Sequence, residues 1–323
     1  MRRVAALLTF LAFLTLLAIA PGALAQSWPE RPVRFIVPLG AGAGADITAR
    51  LFAERLGARW GQPVVVENRP GGDGIVGINA VLGARDDHTL LFGPSSNLIG
   101  HPYTLDKPAY DLAELVPIAR VTSTVVCFAV PTALGANSVR EFMTLARERS
   151  GKLNWSTVTV ASDLIWEGYF KSAGLDLTKI SYRDTVSALN DLVESRIHAY
   201  GAACAIVRAQ AQGGRVKMLA VTNRTRAAGL DLPTVAESGY PQLNFDGLVG
   251  VIAARSANLP EAARSRIAAD IRAVATDAAI AERMHATAQI LVPGDGAEFS
   301  ASIKDQADRL AESARLLGMK RRY

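Results

Sequence analysis

The residues with the most chemical potential in this chain carry almost no side chains. Gly40-Ala-Gly-Ala-Gly-Ala45 forms a loop without bulk, entered from the apolar run Val33–Val37 through Pro38 and left through Asp46, where an amphipathic pattern begins. Such a loop lets backbone N–H groups approach an anion directly, and a helix that follows it places its positive end there. Gly40, Ala41, Gly42, Ala43 and Gly44 are therefore candidate anion-binding positions. The loop alone does not say which anion.

One reading is a dinucleotide. Gly40–Ala45 fits G-x-G-x-x-A between a strand and a helix, and Glu67 closes the next apolar run about twenty residues later. A simple glycine-rich turn without a ligand is another reading. Two observations weigh against the dinucleotide: Pro38 sits where the tight turn would form, and the chain opens with an export signal. Arg2 and Arg3 precede an apolar stretch, Val4–Ala20, then Pro21-Gly22 and the small-x-small site Ala23-Leu24-Ala25. Residues 1–25 thus read as a signal peptide cleaved after Ala25, with an uncleaved anchor as the alternative. Reduced nicotinamide cofactors are not normally available outside the cytoplasm.

Catalytic motifs are missing from the sequence. No G-x-S-x-G, H-E-x-x-H, C-x-x-C or G-x-x-x-x-G-K-[ST] occurs, and His88, His101, His198 and His285 lack ligand spacing. Asp86-Asp87 reads as a solvated turn. No metal and no cofactor is expected. The formal charge of +5, part of it lost with Arg2 and Arg3, gives no case for a nucleic-acid partner. Cys127 and Cys204 each lie in an apolar run; buried free thiols are the expected state, although export permits a disulfide.

The elements that would position the loop alternate in type. Strands are expected at 33–38, 63–67 and 89–92, with helices at 46–60 and 74–83 between them, which argues for parallel βαβ units. The β-branched run Val121–Val130 is longer than an ordinary strand and reads as a crossing between two lobes. A capping box, Ser138 with Glu141, opens a helix over 138–150. Further strands (153–157, 179–182, 197–200, 217–222) and helices (164–173, 187–195, 206–212) make a second α/β lobe. Phe245–Ala254 reads as the return crossing, and helices over 260–276, 278–288 and 297–317 close the chain. Two crossings imply a hinge with a ligand cleft beneath it.

Several motifs in order resemble one family. Trp28-Pro-Glu-Arg-Pro-Val-Arg-Phe-Ile-Val-Pro38, Ala45-Asp-Ile-Thr-Ala-Arg50 and Gly61-Gln-Pro-Val-Val-Val-Glu-Asn-Arg-Pro-Gly-Gly72 are followed by Ser181-Tyr-Arg183, Ala188-Leu-Asn-Asp-Leu192, Leu219-Ala-Val-Thr222 and Leu232-Pro-Thr-Val-Ala-Glu-Ser-Gly239. Together they resemble the periplasmic solute receptors of the tripartite tricarboxylate transporters (the TctC, or Bug, family) over nearly the whole mature chain. The resemblance implies an α/β, two-lobed, type II Venus-flytrap binding protein with a hinge of two crossing strands. It implies lobe one at 26–126 and 246–323 and lobe two at 127–245. A small carboxylate would be held between loops of both lobes and passed to membrane permease subunits, the receptor itself being a periplasmic monomer.

Carried over by position, the first-lobe contacts are Gly40, Ala41, Gly42, Ala43, Gly44 and Asp46 together with Ser95, Ser96 and Asn97. The second-lobe contacts are Ser156, Thr157, Thr159 and Ser162 with Arg183, Asp184, Thr185 and Asp191. Amides at helix ends and bridging water would neutralise the carboxylate. Asp46 would then act as a helix N-cap or hold the ligand's polar tail.

The chain departs from the family within the cleft. Asn154–Asp163 has no glycine, Leu164 stands in a histidine's place, Arg183-Asp184 replaces Lys-Gly, and Leu248 replaces a tryptophan. Arg183 could clamp a second carboxylate or simply pair with Asp184. Trp155 could stack on an aromatic acid or belong to the core. A dicarboxylate or aromatic carboxylate is the expected ligand class. A sensory binding protein and an exported α/β enzyme are the alternative functions; a pull-down separates the first from a transport receptor, and turnover of a bound carboxylate would reveal the second.

Overall fold

Val33-Arg-Phe-Ile-Val37 forms strand β1 because Val33, Phe35, Ile36 and Val37 can all be buried while Arg34 stays outside, as a strand covered on both faces requires. A computed structural model describes residues 28–182 and 184–322. The expected leader, residues 1–25, and Arg183 lie outside the described residues.

The first sheet has six strands in the order β11-β4-β10-β3-β1-β2. β1 pairs in parallel with β2 (Val64–Asn68) and β3 (Thr89–Pro94). β10 (Gly247–Ala254) runs antiparallel to both β3 and β4 (Leu115–Thr124), and β11 (Gln289–Asp295) runs antiparallel to β4. Helices α1 (Gly44–Trp60), α2 (Ile75–Ala84) and α3 (Ser96–Thr104) follow the three parallel strands. Their connecting loops therefore share one edge, where the carboxyl ends of β1, β2 and β3 lie together. Ligands of open α/β sheets bind at such edges.

The second sheet has the order β7-β6-β8-β5-β9. Its strands are β5 (Val126–Pro131), β6 (Leu153–Thr157), β7 (Leu177–Lys179), β8 (Ala199–Ala203) and β9 (Val216–Val221). Helices α4 (Val139–Glu148), α5 (Val160–Ser172), α6 (Thr185–Val193) and α7 (Cys204–Gln212) connect them. Helices α8 (Glu261–Ala275), α9 (Ala278–Ala286) and α10 (Gly296–Leu316) complete the chain.

The run 121–130 is not one strand. β4 ends at Thr124 and β5 starts at Val126 in the other sheet, with Val125 between them. Buried Asn223 fixes this break: its Oδ1 accepts from Val126 N–H at 2.9 Å and its Nδ2 donates to Ser123 Oγ and Thr124 O, both at 3.0 Å. The return passage is tied to the same place, since Phe245 N–H donates to Thr222 O and Thr222 Oγ1 donates to Phe245 O. The hinge is therefore hydrogen-bonded as a unit.

Two helices join the cores. Phe299 of α10 packs beside Ile36, Leu91 and Ile252 of the first sheet, while Leu310 and Ala314 pack with Phe128 and Trp166 of the second. Ile99 and Tyr103 of α3 also enter the second sheet's core.

Several sequence expectations need correction. Helix α1 starts two residues early, so Asp46 is its third residue and Ala43 its N-cap. In α4, Ser138 Oγ accepts from Glu141 N–H, but Glu141 reaches back to Asn137 N–H, so the reciprocal half of the box is displaced by one residue. Helix α3 and strand β11 were not foreseen. Cys127 and Cys204 form a disulfide, their Cα atoms 5.1 Å apart, and are not free thiols. Pairing of β5 with β8 sets Cys127 opposite Ala202, which returns Cys204 to bridging distance across a sequence separation of 77.

Candidate ligand site

Pro38 is the wedge on which the first loop turns. A Cβ on Gly77 would lie 2.8 Å from Pro38 Cβ, and one on Gly93 would lie 2.7 Å from Pro38 Cδ. Both neighbours must lack a side chain for Pro38 to seat, and Pro38 in turn aims the chain from Leu39 across the sheet edge. Gly40 and Ala41 are exposed, and Gly42 has φ +82, a conformation that favours glycine. Beyond them, Ala43 offers no side chain to cap α1. The first-turn amides of that helix have no intrahelical acceptor and remain a positive end available to an anion.

Asp46 does not face that opening. It is 2 % exposed, and its Oδ2 accepts from Gly42 N–H at 2.8 Å while Oδ1 accepts from Asn68 Nδ2 at 2.9 Å. Arg50 lies 3.0 Å away. Burial pushes this carboxyl up, but the Gly42 amide, Arg50 and Asn68 outweigh it and hold the group below its usual range. Its role is to fold the loop, with its charge matched by Arg50.

The second loop of this edge is braced rather than open. Ser95, Ser96 and Asn97 are all buried. Ser95 N–H donates to Leu248 O at 3.0 Å, Ser95 Oγ lies 3.4 Å from Gln306 Oε1, and Ser96 Oγ lies 3.4 Å from Asn97 Oδ1. Asn97 Nδ2 donates to Asp73 O. This contact exposes an element missing from the sequence reading: the loop Gly71–Gly74 after β2. Asp73 has φ 51, and its Oδ2 is 3.2 Å from Nε2 of buried His101, whose Nδ1 is 2.7 Å from Tyr110 Oη. The signal was the run Pro70-Gly-Gly-Asp-Gly74 directly after a strand, a glycine-rich loop like the first.

On the second sheet, Thr157, Thr159 and Ser162 form one hydroxyl cluster at the carboxyl end of β6. Thr157 Oγ1 is 2.7 Å from Ser162 Oγ and donates to Asp163 Oδ1 at 2.7 Å; Thr159 and Ser162 make the capping box of α5. Ser156 is buried. Burial outweighs Lys179, 2.6 Å away, and raises the Asp163 carboxyl above its usual range; the charge of Asp73 on the first sheet pushes the same way. Asp184 is the N-cap of α6, accepting from Ser187 N–H at 2.8 Å, and that bond lowers its pKa. Thr185 begins the helix. Asp191 is engaged by Tyr182 Oη and Arg196 Nη1, both at 2.7 Å, which lower its pKa.

Trp155 is not a stacking surface. It is 1 % exposed and lies in the second core against Trp166 and Phe170. Leu164 is buried there as well.

The two edges meet directly where α3 crosses the start of α5: a Cβ on Gly100 would lie 3.2 Å from Val160 Cγ1. Two cavities of about 490 and 530 Å³ lie elsewhere, one behind the hinge and one on the flank of the second sheet beside Phe170. Neither of these cavities is lined by the candidate loop residues 40–46 or 95–97. Among the described residues, no helix is long and apolar enough to cross a membrane.

Comparison with known proteins agrees with this architecture. The family model for tripartite tricarboxylate transporter family receptors matches residues 48–318. A UPF0065 protein of Bordetella bronchiseptica is 31 % identical over 297 residues, covering 90 % of this chain and 85 % of that protein. The solved periplasmic binding protein BugD superposes with a TM-score of 0.76 at 26 % identity, covering 91 % of this chain and 99 % of its own. An R. palustris protein solved with adipate superposes with a TM-score of 0.81 at 24 % identity, covering 90 % of this chain and 99 % of its own.

Proposed function

Because the chain belongs to the tripartite tricarboxylate transporter family of receptors, we propose that it captures a small carboxylate between two lobes and delivers it to the permease subunits of such a transporter. The carrying observation is the uncapped start of α1: a loop of glycine and alanine leads to helix amides without an intrahelical acceptor, while the carboxylate of that helix's first turn, Asp46, is turned inward and matched by Arg50. An anion arriving at this loop meets helix amides rather than the Asp46 carboxylate.

Lobe one comprises residues 26–126 and 246–323 and lobe two residues 127–245. Gly40, Ala41 and Gly44 supply the first-lobe amides, and Gly42 and Ala43, whose own N–H groups donate to Asp46 Oδ2 and Gly40 O, shape the loop that presents them. Ser95, Ser96, Asn97 and Asp46 brace them; Thr157, Thr159 and Ser162 carry the opposing hydroxyls. Thr185 at the start of α6 and, by the family resemblance, Arg183 meet the ligand's far end, with Asp184 and Asp191 fixing that helix. Closure of the lobes is the productive event. The protein works as an exported, periplasmic monomer after loss of residues 1–25.

A dicarboxylate is the favoured ligand, since burial of Trp155 removes the feature that spoke for an aromatic acid. Adipate is a fitting first probe, being present in a solved structure of this fold. Thermal-shift screening at neutral pH tests the reading: dicarboxylates raise the melting temperature, as saturating ligand at a hundredfold excess over Kd adds about 2.7 kcal/mol. Stabilisation only by sugars or amines would overturn it.

A further inference from the structure

The cavity behind the hinge, about 490 Å³, has the size of a small-molecule site and walls from both passages between the sheets and from α10. Its apolar wall is Leu248 of β10, Ile290 and Val292 of β11, and Ala301 of α10. Its polar side is dominated by Arg120 of β4, which is half-buried. Arg120 Nε donates to Val292 O at 2.7 Å and Nη1 donates to Ser302 Oγ at 2.6 Å, and both acceptors are neutral. Among the described residues Arg120 makes no ion pair. Arg224, on the same wall, differs: it is matched by Asp246 and Asp305.

Arg120 gives two of its donors to neutral oxygens and meets no carboxylate directly among the described residues, with Glu298 nearby and Asp246 and Asp305 of the same lining engaged by Arg224, so the rest of its guanidinium can receive an anion. The adjoining apolar wall selects what that anion carries. We propose that the hinge-side cavity is a second binding site, for an amphiphilic monoanion whose charged head meets Arg120 and whose apolar body lies on Leu248, Ile290 and Ala301. Leu248, expected in the cleft from the sequence, lines this cavity instead, and none of the first-loop residues 40–46 does.

The cavity is built from groups that the hinge holds together. Arg224 follows β9 of the second sheet, while Arg120 and Ile290 belong to the first. Gln306 also lines it, donating to Asp246 O at 2.6 Å and meeting Ser95 Oγ at 3.4 Å, next to the cleft. An occupant therefore touches both lobes and is linked to their relative setting. Any effect on cleft affinity must be matched by an equal effect of cleft ligand on the hinge site.

Isothermal titration with octanoate, and with octanamide as its neutral counterpart, tests the proposal on the mature protein and three variants. Octanoate is expected to bind saturably at millimolar concentration and octanamide not. Ala301→Trp fills the cavity from an exposed helix position and should weaken octanoate at least about tenfold, as should Arg120→Gln, a change of about 1.4 kcal/mol. Gly42→Val, which obstructs the loop cleft, should leave octanoate binding intact. Absence of octanoate binding, equal binding of octanamide, or loss in Gly42→Val with retention in Ala301→Trp would each overturn the hinge site; the first two leave capture of a dicarboxylate in the cleft standing, and the third would move octanoate into that cleft.

Discussion

Replacing Asp46 by asparagine isolates the feature on which the candidate site is built. The native carboxylate is 2 % exposed and accepts from Gly42 N–H, Asn68 Nδ2 and Arg50 at 2.8, 2.9 and 3.2 Å. Asparagine has the same shape but one of its two positions becomes a donor. Whichever way it turns, an N–H faces either the Gly42 amide or the Asn68 amide, so one buried charge-assisted bond is lost, about 1.5–3 kcal/mol. The ion pair adds less than about 1 kcal/mol, because Arg50 is half exposed. A total near 2–3 kcal/mol leaves the protein folded, given a usual stability of about 5–15 kcal/mol. Urea denaturation of wild type and Asp46→Asn at neutral pH reads this difference directly. The sign of its pH dependence follows from the lowered native pKa: the unfolded state binds the proton more readily, so the contribution is complete above the ordinary aspartate pKa of about 3.9 and declines as pH falls toward the native value. The stability gap should therefore narrow in acid. A gap below about 0.5 kcal/mol at neutral pH, the range of ordinary surface changes, or one that does not narrow in acid, would refute the view that Asp46 organises the loop.

Other expectations follow from single contacts. Gly93→Ala drives a Cβ to 2.7 Å from Pro38 Cδ; overpacking of about 1–3 kcal/mol is expected in urea denaturation, with a further loss of adipate affinity by titration as the loop is displaced. Asn223→Ala removes the side chain that ties Val126 N–H to Ser123 and Thr124, and should cost about 2–4 kcal/mol by the same assay because buried polar groups lose their partners. Cys127→Ser opens a loop with a sequence separation of 77 and should lower stability by about 4 kcal/mol, a loss that reductant reproduces in the wild type but not in the variant.

The parallel part of the first sheet, β1 to β3, was legible in the sequence because its strands are short apolar runs with helical patterns between them. Both crossings were visible too, although Val121–Val130 read as one strand: nothing local marks Val125 as the break, which depends on Asn223 from a distant segment. Strand β11 was hidden by Pro293 and Gly294, which interrupt the run and are tolerated because β11 is an edge strand with a shifted register there. The anion loop was legible from its glycines, but not its support. Why Gly77 and Gly93 lack side chains depends on Pro38 lying between them, a three-way contact that spacing does not encode. Trp155 could be read toward the ligand or the core because strand alternation does not say which face is buried, and only Trp166 and Phe170 decide it. The disulfide likewise depends on the pairing of β5 with β8.

The central claim, capture of a small carboxylate by the amides at the start of α1, is tested most directly by native mass spectrometry of the protein purified from its own host without denaturant, with identification of the released molecule. The predicted result is a small carboxylate, bound one per chain, present in the wild type and absent from a folded Gly42→Val variant. A bound sugar, amine or nucleotide cofactor in place of a carboxylate, or a dicarboxylate retained undiminished in Gly42→Val, would contradict it.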